Sequence, residues 1–429
     1  MSSPQVVDLH DPTTLSAADA GALLPAAALA GAQVRSSAEQ VAGRGEFDRP
    51  RALVVIGANS AVDAALLAAL LGERGGAPVV AAPTLPDWVG ALDIVVVFAA
   101  AVDDMVAAEA AARAARRGAS VLVRAAADGP VAAAAAGNLL EPQVSVTEAL
   151  AGVGRLTVLV GVAAAAGLYP RPDFAAAADQ LDAMAMACHP SSEFFVNPAL
   201  TLAEHLAAGT PLLIGTDTVA DALARYTCRS LAAIAGIAGA WLGSGQAAGS
   251  PPVLARATRR TDGVSSDIYW DPYDDAPEPG QQISSVLVVG PSAHSAPGPL
   301  AGSGLTPPES NAPFGAGPMP HARSPLAAAL EAALPRAMSI GPEELPNTGT
   351  PDLELPPGAA DPVGRDAFAW TVAMISRIDF ASVYLGLLTR ARPPIDVPDG
   401  LGRPGRAAQH LPSPGGRSAW SEKESGSWS

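Results

Sequence analysis

The sequence alternates short apolar runs with alanine- and leucine-rich segments, and this alternation limits the possible folds more than any other feature. After Arg51, the stretch ALVVIGANSAVDAALLAALLGERGG passes from an apolar run of strand length through a turn into a helix. The apolar runs APVVAAP, ALDIVVVF and ASVLV follow, and the helix-like VDDMVAAEAAARAARRG separates the last two. Continuous apolar strands that alternate with helices indicate a parallel sheet covered on both faces.

The same pattern begins again near Pro211. TPLLIGTDTVADALARYTCRSLAAIAG repeats the order of strand, glycine-containing turn and helix, and SSVLVVG is a later apolar strand. Residues 361–397 have apolar side chains at helical spacing and predict a helix that docks on this second unit. The sequence therefore predicts an α/β protein of two doubly wound parallel sheets flanked by helices.

Changes in composition predict where these units begin and end. Residues 1–48 read as a helical leader, 49–170 as the first α/β unit and 171–208 as a helical linker. The second unit then covers 209–397, and residues 398–429 form a disordered tail. A proline-, glycine- and serine-rich stretch at 291–324 has no apolar periodicity and predicts a disordered insert in the second unit.

Charge and composition argue against several classes of protein. A formal net charge of -16 argues against nucleic-acid or anionic-membrane binding, which requires clustered Lys and Arg. The first residues lack the pattern of a secretory signal, and the longest uncharged stretch, 230–255, is too short to span a bilayer and reads as a buried helix. Two cysteines and six scattered histidines show no metal-ligand spacing. We expect a cytoplasmic protein without a metal or cofactor.

Three stretches resemble the bifunctional phosphoglucose/phosphomannose isomerases, which are built from two SIS domains. They are APTLPDWVGALDIVVVF at 82–98, ARRGASVLV at 115–123 and IDFASVYLGLLTRARPPIDV at 378–397. Their order and spacing agree with that family over about residues 50 to 397, and GAQVR with the composition is similar to the actinobacterial TobH-like branch. The resemblance implies two SIS-type sheets and binding of a sugar phosphate.

The resemblance also implies a phosphate-binding turn, rich in serine and threonine, directly after a strand. In this chain Val97 to Val102 stand in that turn and carry no hydroxyl group, and Asp103 and Asp104 follow. A helix N-terminus can bind an anion through backbone N–H groups, but two carboxylates would repel a phosphate there. We expect this loop to have lost the residues that hold a phosphate.

The catalytic positions implied by the resemblance are also changed. Glu148 lies near the position of a substrate-binding arginine, and Leu231, Ala232 and Ala233 replace an Asn-Glu-Asn motif that carries the catalytic base. The segment LGSGQAAGSPPVLA contains no histidine to act as the ring-opening acid. The catalytic motifs are therefore degraded.

A few polar residues stay as candidates. Gly57, Asn59 and Ser60 resemble a glycine- and serine-containing substrate turn, although Asn59 and Ser60 would also suit helix capping. Thr216 follows the corresponding strand of the second unit. Glu204 and His205 open that unit and are weak candidates for catalysis.

Two functional hypotheses follow. In the first, the chain is a non-catalytic relative that binds a sugar phosphate or a related carbohydrate derivative, with a homodimer or a partner enzyme as possible assemblies. In the second, relocated groups still interconvert glucose or mannose 6-phosphate with fructose 6-phosphate. Only the predicted fold supports the second hypothesis. This support is indirect, because one fold can serve many functions.

Overall fold

The structure, a computed structural model, describes residues 7–135, 137–258, 283–290, 325–341 and 363–389. In this part of the chain two parallel β-sheets are flanked by helices, and a set of N-terminal helices precedes the first sheet. The predicted fold class, an α/β protein of two parallel sheets flanked by helices with helices before the first sheet, is confirmed. The predicted insert at 291–324 and the tail at 398–429 lie outside the described residues.

Two sheets contain the strands of the described residues, and every strand pair is parallel. The first has the order β2-β1-β3-β4-β5 and the second the order β7-β6-β8-β9. The strands are β1 Ala52–Ile56, β2 Val79–Ala82, β3 Asp93–Phe98, β4 Ser120–Arg124, β5 Leu139–Leu140, β6 Thr210–Gly215, β7 Ala240–Gly243, β8 Ile283–Val288 and β9 Met338–Ile340.

The helices connect the strands and cover both sheets. They are α1 Pro12–Ala18, α2 Leu23–Ala27, α3 Ala30–Ala42, α4 Ser60–Leu71, α5 Met105–Arg116, α6 Gly129–Ala134, α7 Gly152–Ala165, α8 Phe174–Ala187, α9 Pro198–Ala207, α10 Thr218–Ser230, α11 Ser244–Ala248, α12 Pro251–Thr258, α13 Pro325–Ala333 and α14 Val363–Thr389. Short turns of 3-10 helix occur at Gly72–Gly75, Glu148–Leu150 and Phe194–Val196, and Leu231–Ala235 forms a π-helical turn.

The strand sequences are mainly apolar because each sheet is covered on both faces. In β1, Leu53 and Val55 pack into the larger core, while Val54 and Ile56 pack on the opposite face in a smaller cluster that includes the alanines of α5. All five residues of β1 are buried. Side chains of successive strand residues point to opposite faces, so a strand covered on both sides favours apolar residues at every position.

Helix α14 is the central helix of the larger core. Its residues Ala367–Thr389 are long and apolar enough to cross a membrane by length and composition, but 89 % of the most apolar window is buried inside the protein. The helix packs against α8, α9 and α10, so it joins the linker helices to the second unit. Its apolar composition is therefore explained by burial within the protein core.

One prediction from the sequence is wrong. Residues 230–255 do not form a single buried helix, because the chain leaves α10 through the π-helical turn and then enters β7 at the edge of the second sheet. Gly236 takes a left-handed conformation with φ of 68° directly after the π-helical turn and ends it. The short helices α11 and α12 follow β7.

A buried polar cluster fixes α10 against α14. Asp379 of α14 accepts hydrogen bonds from the hydroxyl groups of Tyr226 at 2.9 Å and Ser230 at 2.9 Å. All three residues are at most 3 % exposed. Burial raises the pKa of Asp379 to about 6, although the charges of Arg229 and Arg155 and both hydrogen bonds oppose the shift. The two helices thus meet at a carboxyl group that is hard to ionise.

This cluster predicts a specific dependence of stability on pH. The carboxyl group of Asp379 binds its proton more tightly in the native state than in the unfolded state. Its contribution to the free energy of unfolding is therefore full below about pH 4 and is lost as pH rises through about 6. The shift corresponds to about 3 kcal/mol. Urea unfolding of the wild type and Asp379→Asn should give a difference in unfolding free energy that falls by up to that amount between pH 4 and pH 7. A constant difference would contradict the assignment.

Candidate functional site

The candidate site lies at the carboxyl ends of the strands of the first sheet. The chain passes from β1 to β2 on one side and then crosses to β3 on the other, which creates a topological switch point where open α/β sheets commonly bind ligands. Beside this point is a cavity of about 180 Å³ lined by residues 98–102, 124–126, Pro142, Glu148 and Arg155. We call this cavity the β3–β4 pocket.

Arg124 is the last residue of β4 and is the distinctive group of the β3–β4 pocket. Only 9 % of the residue is exposed, and within the described part of the chain its guanidinium group makes no hydrogen bond or ion pair. Burial, together with the repulsion of Arg155, lowers the pKa of Arg124 to about 10, so the group stays protonated at neutral pH. Gly154 leaves room for this side chain, since a Cβ there would lie 3.0 Å from Nη2 of Arg124.

Arg155, on α7, is the second arginine of the pocket, and two carboxylates oppose its charge. Its Nε donates to Asp63 of α4 at 2.8 Å, and its Nη1 donates to the carboxylate of Glu148 at 2.6 Å. Burial alone would lower the pKa of Arg155, but the attraction of Asp63 and Glu148 outweighs it and raises the pKa. Nη2 of Arg155 is buried without a hydrogen-bond partner among the described residues. The pocket therefore contains one neutralised and one unpaired guanidinium group.

A residue of the second unit helps to shape the pocket wall. Arg229 of α10 donates from Nε to Oδ1 of Asn59 at 2.9 Å and from Nη2 to the backbone oxygen of Glu148 at 3.2 Å. Asn59 in turn donates from Nδ2 to Oε1 of Glu148 at 3.1 Å. Glu148 is thus held by Arg155, Asn59 and Arg229, which connect it to α7, to the turn after β1 and to α10.

The loop after β3 differs from the phosphate-binding turn implied by the resemblance in more than its lack of hydroxyl groups. Asp104 caps α5 with its own carboxylate, which accepts from the backbone N–H of Ala107 at 3.0 Å and of Ala100 at 3.3 Å. The Asp104 carboxylate therefore takes one N–H of the first turn of α5 and one N–H of the preceding loop, and it stands where a phosphate would approach this helix N-terminus.

The second sheet has a similar arrangement at its switch point. Asp217 caps α10 by accepting from the N–H of Ala220 at 2.8 Å, and a Cβ at Gly290 would collide with the Asp217 carboxylate. Thr216 is 7 % exposed, and its hydroxyl has no hydrogen-bond partner in the described part of the chain. Here too a carboxylate stands at the position where an anion would approach the helix.

The predicted substrate residues after β1 have other contacts. Gly57 has a φ of 147°, and a Cβ there would lie 2.6 Å from the carbonyl oxygen of Phe98, so glycine is needed for the close approach of β1 and β3. Asn59 does not cap α4 through its side chain, which instead reaches Glu148. Ser60 begins α4 and is buried. None of the three lines the β3–β4 pocket, although Asn59 positions a residue that does.

The predicted catalytic candidates lie away from this pocket. Glu204 is exposed on α9, and a ring nitrogen of His205 lies 2.8 Å from the backbone oxygen of Ser285 in β8. Neither residue contacts the β3–β4 pocket. The structure therefore separates these candidates from the arginines, and their catalytic role stays a prediction.

Sequence reasoning missed both arginines of the pocket, although each left a signal. Arg124 is a charged residue at the carboxyl end of the apolar run SVLV, where parallel sheets place ligand-binding groups. Arg155 is the single charge within the apolar helix GVGRLTVLVGVAAA, and such a residue must be paired inside the protein.

Comparison with known proteins supports the fold. No protein-family model and no curated protein sequence matches the chain. A hypothetical protein from Thermus thermophilus superposes with a TM-score of 0.53 and 11 % identity, over 88 % of each chain. A protein from Bacillus subtilis, provisionally named a phosphosugar isomerase, gives a TM-score of 0.50 and 11 % identity over 84 % of this chain and 95 % of its own. These similarities show a shared fold.

The buried ion pair predicts a large effect on stability. Arg155→Leu would leave Asp63, which is 2 % exposed, as a buried carboxylate without its cation and should lower the free energy of unfolding by about 3 to 5 kcal/mol. The double variant Arg155→Leu/Asp63→Leu removes both charges and should recover most of this loss. Urea unfolding measures both. A double variant no more stable than Arg155→Leu would contradict the pairing.

Proposed function

We propose that this chain binds a carbohydrate derivative with an acidic group in the β3–β4 pocket, and that it does not catalyse isomerisation. The observation that carries the proposal is the guanidinium group of Arg124, which is 9 % exposed, lines the pocket and has no partner in the described residues. A buried charge without a partner is costly, so an anionic ligand is the natural counterpart.

Sugar phosphates are the first ligand class to consider. The fold is shared with a protein provisionally named a phosphosugar isomerase, and three sequence stretches resemble the phosphoglucose/phosphomannose isomerases and their TobH-like branch. Arg124 supplies the charge for an acidic group, and Glu148 supplies an acceptor for sugar hydroxyl groups. We further propose that the protein acts in the cytoplasm, as a homodimer or with a partner enzyme.

The binding proposal predicts a ligand-dependent gain in stability that requires Arg124. A panel of hexose 6-phosphates and hexuronates should contain at least one compound that raises the melting temperature, because a ligand at a hundred times its Kd stabilises the native state by about 2.7 kcal/mol. The neutral hexoses should have no effect. In Arg124→Gln the gain should disappear.

Arg116→Gln is the matched control for this experiment. It removes the same charge from the exposed far end of α5, and its response to ligand should equal that of the wild type. Melting curves that no acidic sugar shifts, or a shift that survives in Arg124→Gln, would contradict the proposal.

Active isomerisation is the second candidate, and Glu148 is the observation that favours it. Enediol chemistry requires a carboxylate base near the substrate, and Glu148 lines the pocket with its side chain 41 % exposed. However, the same carboxylate already accepts a hydrogen bond from Nη1 of Arg155 at 2.6 Å and is therefore engaged in an ion pair within the protein.

We therefore expect no interconversion of fructose 6-phosphate with glucose or mannose 6-phosphate by the purified protein. A coupled assay that detects reduced nicotinamide cofactor can measure this directly. Turnover that falls in Glu148→Gln would overturn our proposal and identify the base. Turnover that falls instead in Glu204→Gln or His205→Ala would overturn it in favour of the candidates on α9.

A further inference from the structure

The groups around the β3–β4 pocket favour one kind of acidic group in a ligand over another. A phosphate monoester carries a charge of about −1.5 to −2 at pH 7 and is commonly held by several N–H groups at a helix N-terminus. At α5 the Asp104 carboxylate stands in this position, since it accepts from the N–H of Ala107 in the first turn at 3.0 Å and from the N–H of Ala100 in the preceding loop at 3.3 Å. Ala100 itself lines the pocket. A dianion at this position would therefore face a carboxylate that the protein holds in place.

The charges of the pocket arginines favour a single negative charge on the ligand. Arg155 is within 2.8 Å of Asp63 and 2.6 Å of Glu148, so its positive charge is already opposed by two carboxylates. Arg124 is the pocket cation whose side chain has no partner in the described residues. The planar fork of a guanidinium group fits a carboxylate or a phosphate in shape, so the distinction comes from charge: one guanidinium group neutralises the single charge of a carboxylate.

A further acceptor in the pocket is suited to hydroxyl groups. Oε1 of Glu148 accepts from Arg155 at 2.6 Å and from Asn59 at 3.1 Å. The other oxygen, Oε2, accepts no hydrogen bond from the described residues, and the side chain is 41 % exposed. A carboxylate oxygen is a hydrogen-bond acceptor, so Oε2 can accept from a sugar hydroxyl in place of solvent.

These observations lead to an inference that rests on the proposed function and narrows it. We propose that the acidic group held by Arg124 is a carboxylate, so that the ligand is a sugar acid of the hexuronate type and not a phosphate monoester. Glu148 then accepts hydrogen bonds from the ring hydroxyls of the same molecule. Asp104 acts as the residue that excludes phosphate, because it fills the N-terminus of α5 with the protein's own negative charge.

Matched ligand pairs test this inference. Glucuronate and glucose 6-phosphate, galacturonate and galactose 6-phosphate, and mannuronate and mannose 6-phosphate each differ in the acidic group at carbon 6. Isothermal titration calorimetry on the full chain should show that, in the pair that binds, the hexuronate binds at least about tenfold more tightly than the phosphate.

Asp104→Asn tests the proposed role of Asp104 in excluding phosphate. Asparagine is also a good helix cap, so the variant should fold while it loses the negative charge. The preference should then shift toward the phosphate by about tenfold. Asp103→Asn removes an equal charge from the neighbouring exposed position and should leave the preference within about twofold of the wild type.

The possible results separate this inference from the proposed function. Equal or tighter binding of the phosphate by the wild type would overturn the inference, while the proposed function would stand. An unchanged preference in Asp104→Asn would overturn the role of Asp104. If no compound of either kind binds, the proposed function itself fails, and the inference fails with it.

Discussion

The buried guanidinium group of Arg155 is the interaction on which the rest of the first unit depends. It connects α7 to Asp63 of α4 and to Glu148 of the turn that precedes α7, and only 1 % of Arg155 is exposed. Desolvation of such a charge is costly, so both carboxylates must be in place for the helix to pack. By taking up both acids, Arg155 leaves Arg124 as a second buried cation without a partner. The charge of the pocket is therefore a consequence of how α7 is held.

Helix α10 of the second unit connects this polar network of the first unit to the core of the second. Arg229 contacts Asn59 and the backbone of Glu148, and one turn of the same helix carries Tyr226 and Ser230, which bind Asp379. A movement of α10 relative to α14 would therefore also move a wall of the β3–β4 pocket. Polar residues are tolerated in this otherwise apolar interface between α10 and α14 because Tyr226 and Ser230 both donate hydrogen bonds to Asp379, and buried polar groups need such partners.

Much of the fold could be predicted from the sequence, but the site could not. Continuous apolar runs such as ALVVI predict buried parallel strands because burial on both faces favours apolar residues at every position, and the structure confirms the buried parallel strand at ALVVI. The secondary structure of residues 230–255 could not be predicted from the sequence, since short apolar segments suit a helix or a strand equally well. The role of Arg155 could not be predicted because it depends on a partner far away in sequence, and that of Arg124 because it depends on burial in the folded chain. Asp63 is 92 residues from Arg155, and no local pattern encodes their contact.

The shared fold with proteins from Thermus thermophilus and Bacillus subtilis does not determine the chemistry of this chain, because one fold supports many functions.

The central claim is that Arg124 binds the acidic group of a ligand. A crystal structure of the protein grown with the tightest-binding acidic sugar tests it most directly. The account predicts that the acidic group lies within hydrogen-bond distance of the Arg124 guanidinium nitrogens, with a hydroxyl group on Glu148. An acidic group bound elsewhere, such as beside Thr216, with only water at Arg124, would contradict it.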